Sequence, residues 1–72
     1  MNTTEHRVTY ASHPKNGTLV LDTATGRQGT IVAQEIHTSR WTDKVVRRVI
    51  HLRPEKGGIE WTTDPGHLEP VA

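Results

Sequence analysis

The sequence contains no cysteine and no phenylalanine, and its aromatic side chains are limited to Tyr10, Trp41 and Trp61. Small secreted domains usually depend on disulfides, so the lack of cysteine favours a reducing compartment. No apolar run approaches the ~18 residues that a membrane-spanning helix needs, and residues 1–10 lack the apolar stretch of a signal peptide. We therefore expect a cytoplasmic protein without a membrane segment.

The chain is also short, and apolar side chains are scarce. It has 72 residues, of which 32% are hydrophobic, so it has room for one small core and not for a second domain. A net charge of only +1 argues against disorder, which usually combines low hydrophobicity with high net charge. These limits exclude a Rossmann fold or a triosephosphate-isomerase barrel and indicate one small folded module.

β-Branched residues are abundant instead. Eleven threonines, seven valines and four isoleucines make up nearly a third of the chain, and their stiff side chains suit a pleated surface better than a helix. Asp64 as a cap and Pro65 at the first position predict one helical turn near residues 64–68. Apolar and alternating runs predict five short strands, at 18–22, 29–36, 44–53, 59–63 and 69–72.

Alternation along these strands predicts which side chains face inward. Ile31 and Ala33 are assigned to one face of the second strand, and Val32 and Ile36 to the other. A helix is the competing interpretation of 44–53, but its β-branched residues and the following proline favour a strand. In the fourth strand Ile59 and Trp61 are predicted to point inward. The strand at 44–53 would carry Val46, Arg48, Ile50 and Leu52 on one face, and Val45, Arg47, Val49, His51 and Arg53 on the other.

The N-terminal segment is polar and ends in the turn Pro14-Lys15-Asn16-Gly17. We expect a flexible tail over residues 1–17, with a short strand at 7–10 as the alternative. The domain would then occupy residues 18–72. Several short strands separated by turns, without an amphipathic helix, indicate a small barrel or a curled sheet.

Two resemblances refine this expectation. The stretch Gly26-Arg27-Gln28-Gly29-Thr30-Ile31 resembles the Gly-x-x-Gly-x-(Val/Ile) core of the KOW motif, which occurs in SH3-like barrels of ribosomal and transcription-elongation proteins. Its glycines permit a tight turn and a close backbone approach, while Ile31 enters the core. The same glycine spacing also suits an ordinary hairpin.

Residues 22–70 are also similar to a set of short uncharacterised bacterial proteins from actinobacteria. That resemblance implies an SH3-like barrel of about five short antiparallel strands and implies no assigned activity. Residues 34–44, which include Trp41, depart from the pattern. The matching elements are Asp22-Thr23-Ala24-Thr25-Gly26, Gly29-Thr30-Ile31, Leu52-Arg53-Pro54, Gly57-Gly58, Glu60-Trp61 and Asp64-Pro65-Gly66-His67-Leu68-Glu69-Pro70.

The residue patterns indicate neither an enzyme nor a metal or cofactor site. Ser12 and Ser39 lie in polar segments without a nucleophile motif. No cysteine completes a zinc set, and no two of the five histidines have the His-x-x-x-His spacing of a helical metal pair. We expect a non-catalytic protein without a cofactor.

Charge is distributed unevenly. Residues 40–56 hold six cations and two carboxylates, a local charge of +4, whereas the rest of the chain carries −3. A cationic strand beside an indole predicts nucleic-acid binding, with phosphates on the cations and a base on the tryptophan. The alternatives are a solvated strand edge and a protein-interaction or self-associating module that uses Trp41 and an edge strand. The candidate binding residues are Arg40, Trp41, Lys44, Arg47, Arg48 and Arg53. We expect a monomer or a weak homo-oligomer.

Overall fold

A computed structural model describes residues 6–71, which form six antiparallel strands and one 3₁₀ turn. The all-β class and the helical turn are confirmed. Pro65 opens that turn as predicted, but the Asp64 side chain makes no capping hydrogen bond, so its predicted role as a side-chain cap is wrong. The elements are β1 (His6–Ala11), β2 (Leu19–Asp22), β3 (Arg27–Ser39), β4 (Val45–Pro54), β5 (Trp61–Thr63), the 3₁₀ turn (Pro65–His67) and β6 (Leu68–Pro70).

The strands form one open sheet in the order β5-β4-β3-β2-β6, and β1 pairs with β3. β3 is long enough to pair with β2 at its start and with β1 at its end, both on the side opposite β4. The end strands β5 and β6 follow each other in the chain, joined by the 3₁₀ turn. No ladder joins these two strands within residues 6–71, so the predicted closure into a barrel is not observed.

The core lies on one face of this sheet, which we call the core face. Val20, Ile31, Ile50 and Leu52 are buried together there, and Trp61 packs against them. Each large side chain buried this way contributes about 1.5–3 kcal/mol relative to an exposed one. The core is therefore small, and packing at its edge contributes much of the stability.

Irregular pairing redirects the side chains of β3. Ile31 lies opposite Leu52 and Ala33 opposite His51, so Val32 is an extra residue that shifts the register. Because of this shift Ile31 and Ala33 face opposite sides, and Ile36 shares the core side with Ile31. The predicted grouping of the second strand is therefore wrong.

The β4 alternation, by contrast, is confirmed from Arg47 to Leu52. Ile50 and Leu52 are buried on the core face, and Arg48, on the same face, lies near the strand end where it is exposed. A second register shift, between the pairs His37–Arg47 and Thr38–Val45, precedes it. We call the opposite side of the sheet the outer face.

A buried carboxylate ties β5 to β2. Asp22 is fully buried, and its Oδ2 accepts a hydrogen bond from Trp61 Nε1 at 2.8 Å, while Oδ1 accepts one from Thr63 Oγ1 at 3.0 Å. The Ala24 N–H and the Thr25 hydroxyl supply two more, at 3.1 and 3.2 Å. Burial raises the pKa of Asp22, but these four hydrogen bonds outweigh it, so the pKa is lowered. The ionised carboxylate is thus a fixed part of the core.

Gly29 makes room for the Trp61 indole. A Cβ at position 29 would lie 2.7 Å from the Trp61 Cη2 atom and 2.8 Å from the Arg53 carbonyl oxygen. Arg27 lies over the ring, with its guanidinium carbon 3.9 Å from the ring centroid. The half-buried indole is therefore held by a glycine, a cation and the Asp22 carboxylate.

Two further regions differ from the sequence-based expectation. The alternative of a strand near 7–10 matches β1, which pairs with β3 from His6 to Ala11 instead of forming a loose tail. Residues 1–5 of the predicted tail lie outside the described part of the chain. The inward orientation predicted for Ile59 is wrong: β5 begins only at Trp61, and Ile59 is 88% exposed.

Candidate functional site

The loop that joins β3 and β4, residues 40–44, lies at the end of a long hairpin and is called the hairpin tip here. Ser39 organises it, because the Ser39 hydroxyl accepts hydrogen bonds from the Trp41 and Thr42 N–H groups at 3.1 and 3.3 Å. The Ser39 N–H donates to the Lys44 carbonyl at 2.9 Å, and Asp43 adopts a left-handed conformation with φ of 59°. The tip backbone is thus fixed by its own hydrogen bonds.

The Trp41 side chain projects from this ordered loop into solvent. The Trp41 side chain is 82% exposed. This is a large fraction for an indole, because exposing so large an apolar surface to water is costly in free energy. Arg40 precedes it and Lys44 follows three residues later, both exposed. Within the described chain neither cation has a carboxylate within salt-bridge distance. The tip therefore presents an indole together with two unpaired charges.

The other candidate cations are divided between different parts of β4. Arg47 faces the outer side, where its Nη2 is 3.9 Å from Asp64 Oδ1. Arg48 faces the core side and donates to Gln34 Oε1 at 3.3 Å. Arg53 lies at the far end of β4 and is paired with Glu60 at 3.3 Å. The six predicted residues do not share one face, and Arg53 is remote from the tip along the strand.

Arg7 of β1 contacts the hairpin tip, which the sequence did not indicate. It lies opposite Thr38 in the β1–β3 ladder, and its Nη2 is 3.3 Å from Asp43 Oδ1. The only signal was the short β-prone run at 7–10, which gave no information on its position. Arg7 therefore adds a cation to the tip and neutralises the carboxylate there.

A second polar cluster occupies the outer face. Glu35 lies between two histidines: its Oε1 is 3.0 Å from His37 Nε2, and its Oε2 is 2.6 Å from His51 Nε2. The Tyr10 ring is tilted over His51, with 6.1 Å between the ring centroids. Hydrogen bonds from His37 and then His51 lower the pKa of Glu35 and outweigh burial, which raises it. The carboxylate is held in its charged form.

This cluster predicts acid sensitivity. Because the folded pKa of Glu35 is below the unfolded value of about 4.3, the charged group stabilises the fold above that pH, and its contribution is lost as the pH falls through the folded pKa. The lowered pKa of Asp22 has the same effect, so its contribution to stability is also lost as the pH falls. We expect the urea midpoint to fall between about pH 5 and about pH 3, and Glu35→Gln to reduce that fall.

Glu55→Gln is the matched control, since Glu55 is exposed in the turn after β4. Its variant should keep the full pH dependence of the wild type. Superimposable pH profiles for the wild type and Glu35→Gln would contradict the assignment of the stabilising carboxylate.

A cleft of about 260 Å³ lies beside β2 and β6, and its lining includes Val20, Ile31, Leu68 and His13. Burial first, and then the charges of Lys15 and Arg48, lower the pKa of His13.

No three side chains among the histidines and carboxylates of residues 6–71 are arranged to hold a metal ion. Over the same residues, no helix is long and apolar enough to cross a membrane.

Comparison with protein-family models, with curated proteins and with solved structures finds no match for this chain.

Proposed function

We propose that the protein is a non-catalytic cytoplasmic module that binds single-stranded nucleic acid through the hairpin tip. The observation that carries the proposal is the exposed Trp41 indole on an ordered loop between the unpaired cations Arg40 and Lys44. Every nucleobase has a face on which an indole stacks, and single strands expose that face. Lys and Arg side chains beside the indole can bind the backbone phosphates on either side of the stacked base.

The order of the tip backbone supports the same function. Binding costs less free energy when the loop that carries the contact side chains is already fixed. Ser39 fixes this loop, because its hydroxyl accepts hydrogen bonds from the start of the loop and its N–H donates to the carbonyl of Lys44 at the end. Arg47 and Arg48 extend the cationic surface along both faces of β4. Arg53 is assigned to the scaffold, since it lies at the end of β4 remote from the tip and is paired with Glu60.

For the scaffold itself we propose an SH3-like arrangement, in which the sheet curls until β5 and β6 approach each other. Three features support this. The end strands are joined by the short 3₁₀ turn, and the backbone N–H of Thr23, after β2, donates to the His67 carbonyl at 2.9 Å. The Asp22 carboxylate also links β2 to β5 through side chains. Such a scaffold leaves the β3–β4 hairpin projecting from the curled part.

The function is tested by the salt dependence of binding to a labelled oligothymidine of about 12 nucleotides, within the usual site sizes. Each cation that neutralises a phosphate on a single strand contributes about −0.7 to the slope of log K against log salt. The double variant Arg40→Ala/Lys44→Ala should therefore flatten the slope by about 1.4 and weaken binding most at low salt.

The control is Lys15→Ala/Lys56→Ala, which removes the same total charge from turns outside the tip. It should retain both the affinity and the slope at any given salt concentration. No detectable binding by the wild type at low salt would rule out the function, and equal losses in both double variants would show that net charge alone attracts the oligonucleotide. Salt-independent capture of a protein would favour the alternative of an adaptor module.

A further inference from the structure

The outer edge of β1 is a regular strand edge without a partner. β1 pairs with β3 on one side only, and no other strand in the described chain pairs with it. Its six residues keep one register with β3 throughout, without a bulge, and the strand contains no proline. Soluble proteins usually protect such an edge with a proline, a bulge or inward-pointing charges. β1 has no proline and no bulge, and its one arginine, Arg7, is already paired with Asp43.

The free part of the β4 edge is different. β5 covers β4 only at residues 50–52, which leaves 45–49 unpaired on that side. Arg47 and Arg48 lie there, and the register with β3 shifts beside them. Two copies of this edge would bring four guanidinium groups together, so like charges oppose self-pairing. Of these two edges, only that of β1 suits a second copy of the chain.

We propose that β1 pairs antiparallel with β1 of a second copy, about a two-fold axis at Thr9. In this register Val8 lies opposite Tyr10 twice, once on each side of the axis, and Arg7 lies opposite Ala11. Aromatic and β-branched side chains are favourable cross-strand partners, and no like charges between residues 7 and 11 face each other. The sequence of the strand is therefore complementary to itself.

Exposure on the outer face agrees with this pairing. Val8 is 43% exposed and Tyr10 is 69% exposed, and both lie on the outer face beside the Glu35 cluster. Pairing of two copies would place these four apolar side chains in one continuous row across the joined sheets. A domain with so small a core gains proportionally more from such additional burial than a larger one.

Thr9→Cys gives a direct test, because the chain has no cysteine of its own. Residues opposite each other across an antiparallel pair have Cα atoms about 4.5–5.5 Å apart, within the range that a disulfide spans. Under mild oxidation at micromolar protein, Thr9→Cys should form a covalent dimer at least about tenfold faster than a control cysteine, since pairing raises the effective thiol concentration.

The control is Ile59→Cys, at another exposed position that lies outside the strands. Faster cross-linking of Thr9→Cys supports the interface, and equal rates for the two variants overturn it. Sedimentation velocity of the full chain gives a second measurement that needs no thiol. A wild type that stays monomeric up to about millimolar concentration, where an association of millimolar Kd would be half formed, overturns the proposal.

Thr9→Lys then tests where the contact lies. It places two ammonium groups at the axis, a common protection of strand edges, and it should abolish the concentration-dependent dimer, whereas Ile59→Lys adds the same charge and should leave it intact. A dimer that persists in Thr9→Lys would place the interface elsewhere. The hairpin tip is unchanged in both variants, so oligonucleotide binding reports on the proposed function separately.

Discussion

Asp22→Asn should leave much of the protein unfolded at room temperature. The amide has one acceptor oxygen, and whichever way it is turned, its NH₂ group faces a rigid donor, either the Trp61 indole N–H or the Ala24 backbone N–H. The threonine hydroxyls can rotate, but these two N–H groups cannot become acceptors. A buried donor without an acceptor, together with lost charge-assisted hydrogen bonds, costs about 3 kcal/mol.

That loss is comparable to the total stability of a domain of this size, which is about 3–5 kcal/mol. The measurement is urea denaturation followed by circular dichroism. Asp43→Asn is the matched control: Asp43 is exposed at the tip, and asparagine readily adopts its left-handed conformation. The control should change the free energy of unfolding by no more than about 0.5 kcal/mol. Equal urea midpoints for Asp22→Asn and the wild type would contradict the role of the carboxylate.

Trp41→Ala should weaken binding to single-stranded oligonucleotides by roughly 5- to 140-fold. Truncation of a stacking aromatic costs about 1–3 kcal/mol per base, and each 1.4 kcal/mol corresponds to a tenfold change in Kd. Trp41→Phe keeps a ring of smaller area and should lie between alanine and the wild type. The loop backbone is held by Ser39 and not by the indole, so the far-ultraviolet circular dichroism should stay unchanged.

Ile59→Ala serves as the comparison, because it truncates another exposed apolar side chain in a different loop. Its Kd should equal that of the wild type in an anisotropy titration. If Trp41→Ala also binds with the wild-type Kd, the indole takes no part, and the cations alone account for any affinity. In that case a double-stranded ligand should bind as well as a single-stranded one.

The strand positions could be predicted because the local signals agree with the fold. Turn glycines such as Gly26 and Gly57 have positive φ, and the runs between turns are β-branched. The alternation of β4 worked because the extra residue in this part of the ladder, Val32, belongs to β3 and leaves β4 itself regular from Arg47 to Leu52. Local pattern and long-range pairing therefore agree in this part of the sheet.

Irregularity defeated the same reasoning elsewhere. A bulge such as that at Val32 has no mark in a single sequence, and it reverses the face of every residue beyond it. Alternation was extended through Ile59, yet Gly57 and Gly58 carry the chain away from the sheet until Trp61. The sequence did not favour β1 as a strand, because the stability of β1 depends on pairing with the distant end of β3 and not on its own sequence.

The site was predictable in composition and not in arrangement. Clustered cations beside Trp41 indicated a basic surface, but a lone aromatic residue in a polar loop has no periodicity from which exposure could be inferred. Adjacent residues of a strand point to opposite faces, so Arg47 and Arg48 were already separated by the pattern. The burial of Asp22 could not be predicted, because its donors come from the turn after β2 and from β5.

The contrasting environments of the two tryptophans give the protein two separate optical reporters. Trp61 lies beneath a guanidinium and bonds to a buried carboxylate, so its fluorescence follows the integrity of the fold. Trp41 is surrounded by water and belongs to a different loop, so its emission responds to whatever covers the tip. Replacement of Trp41 by phenylalanine leaves only the folding signal. The difference spectrum against the wild type then isolates occupancy of the tip without any attached dye.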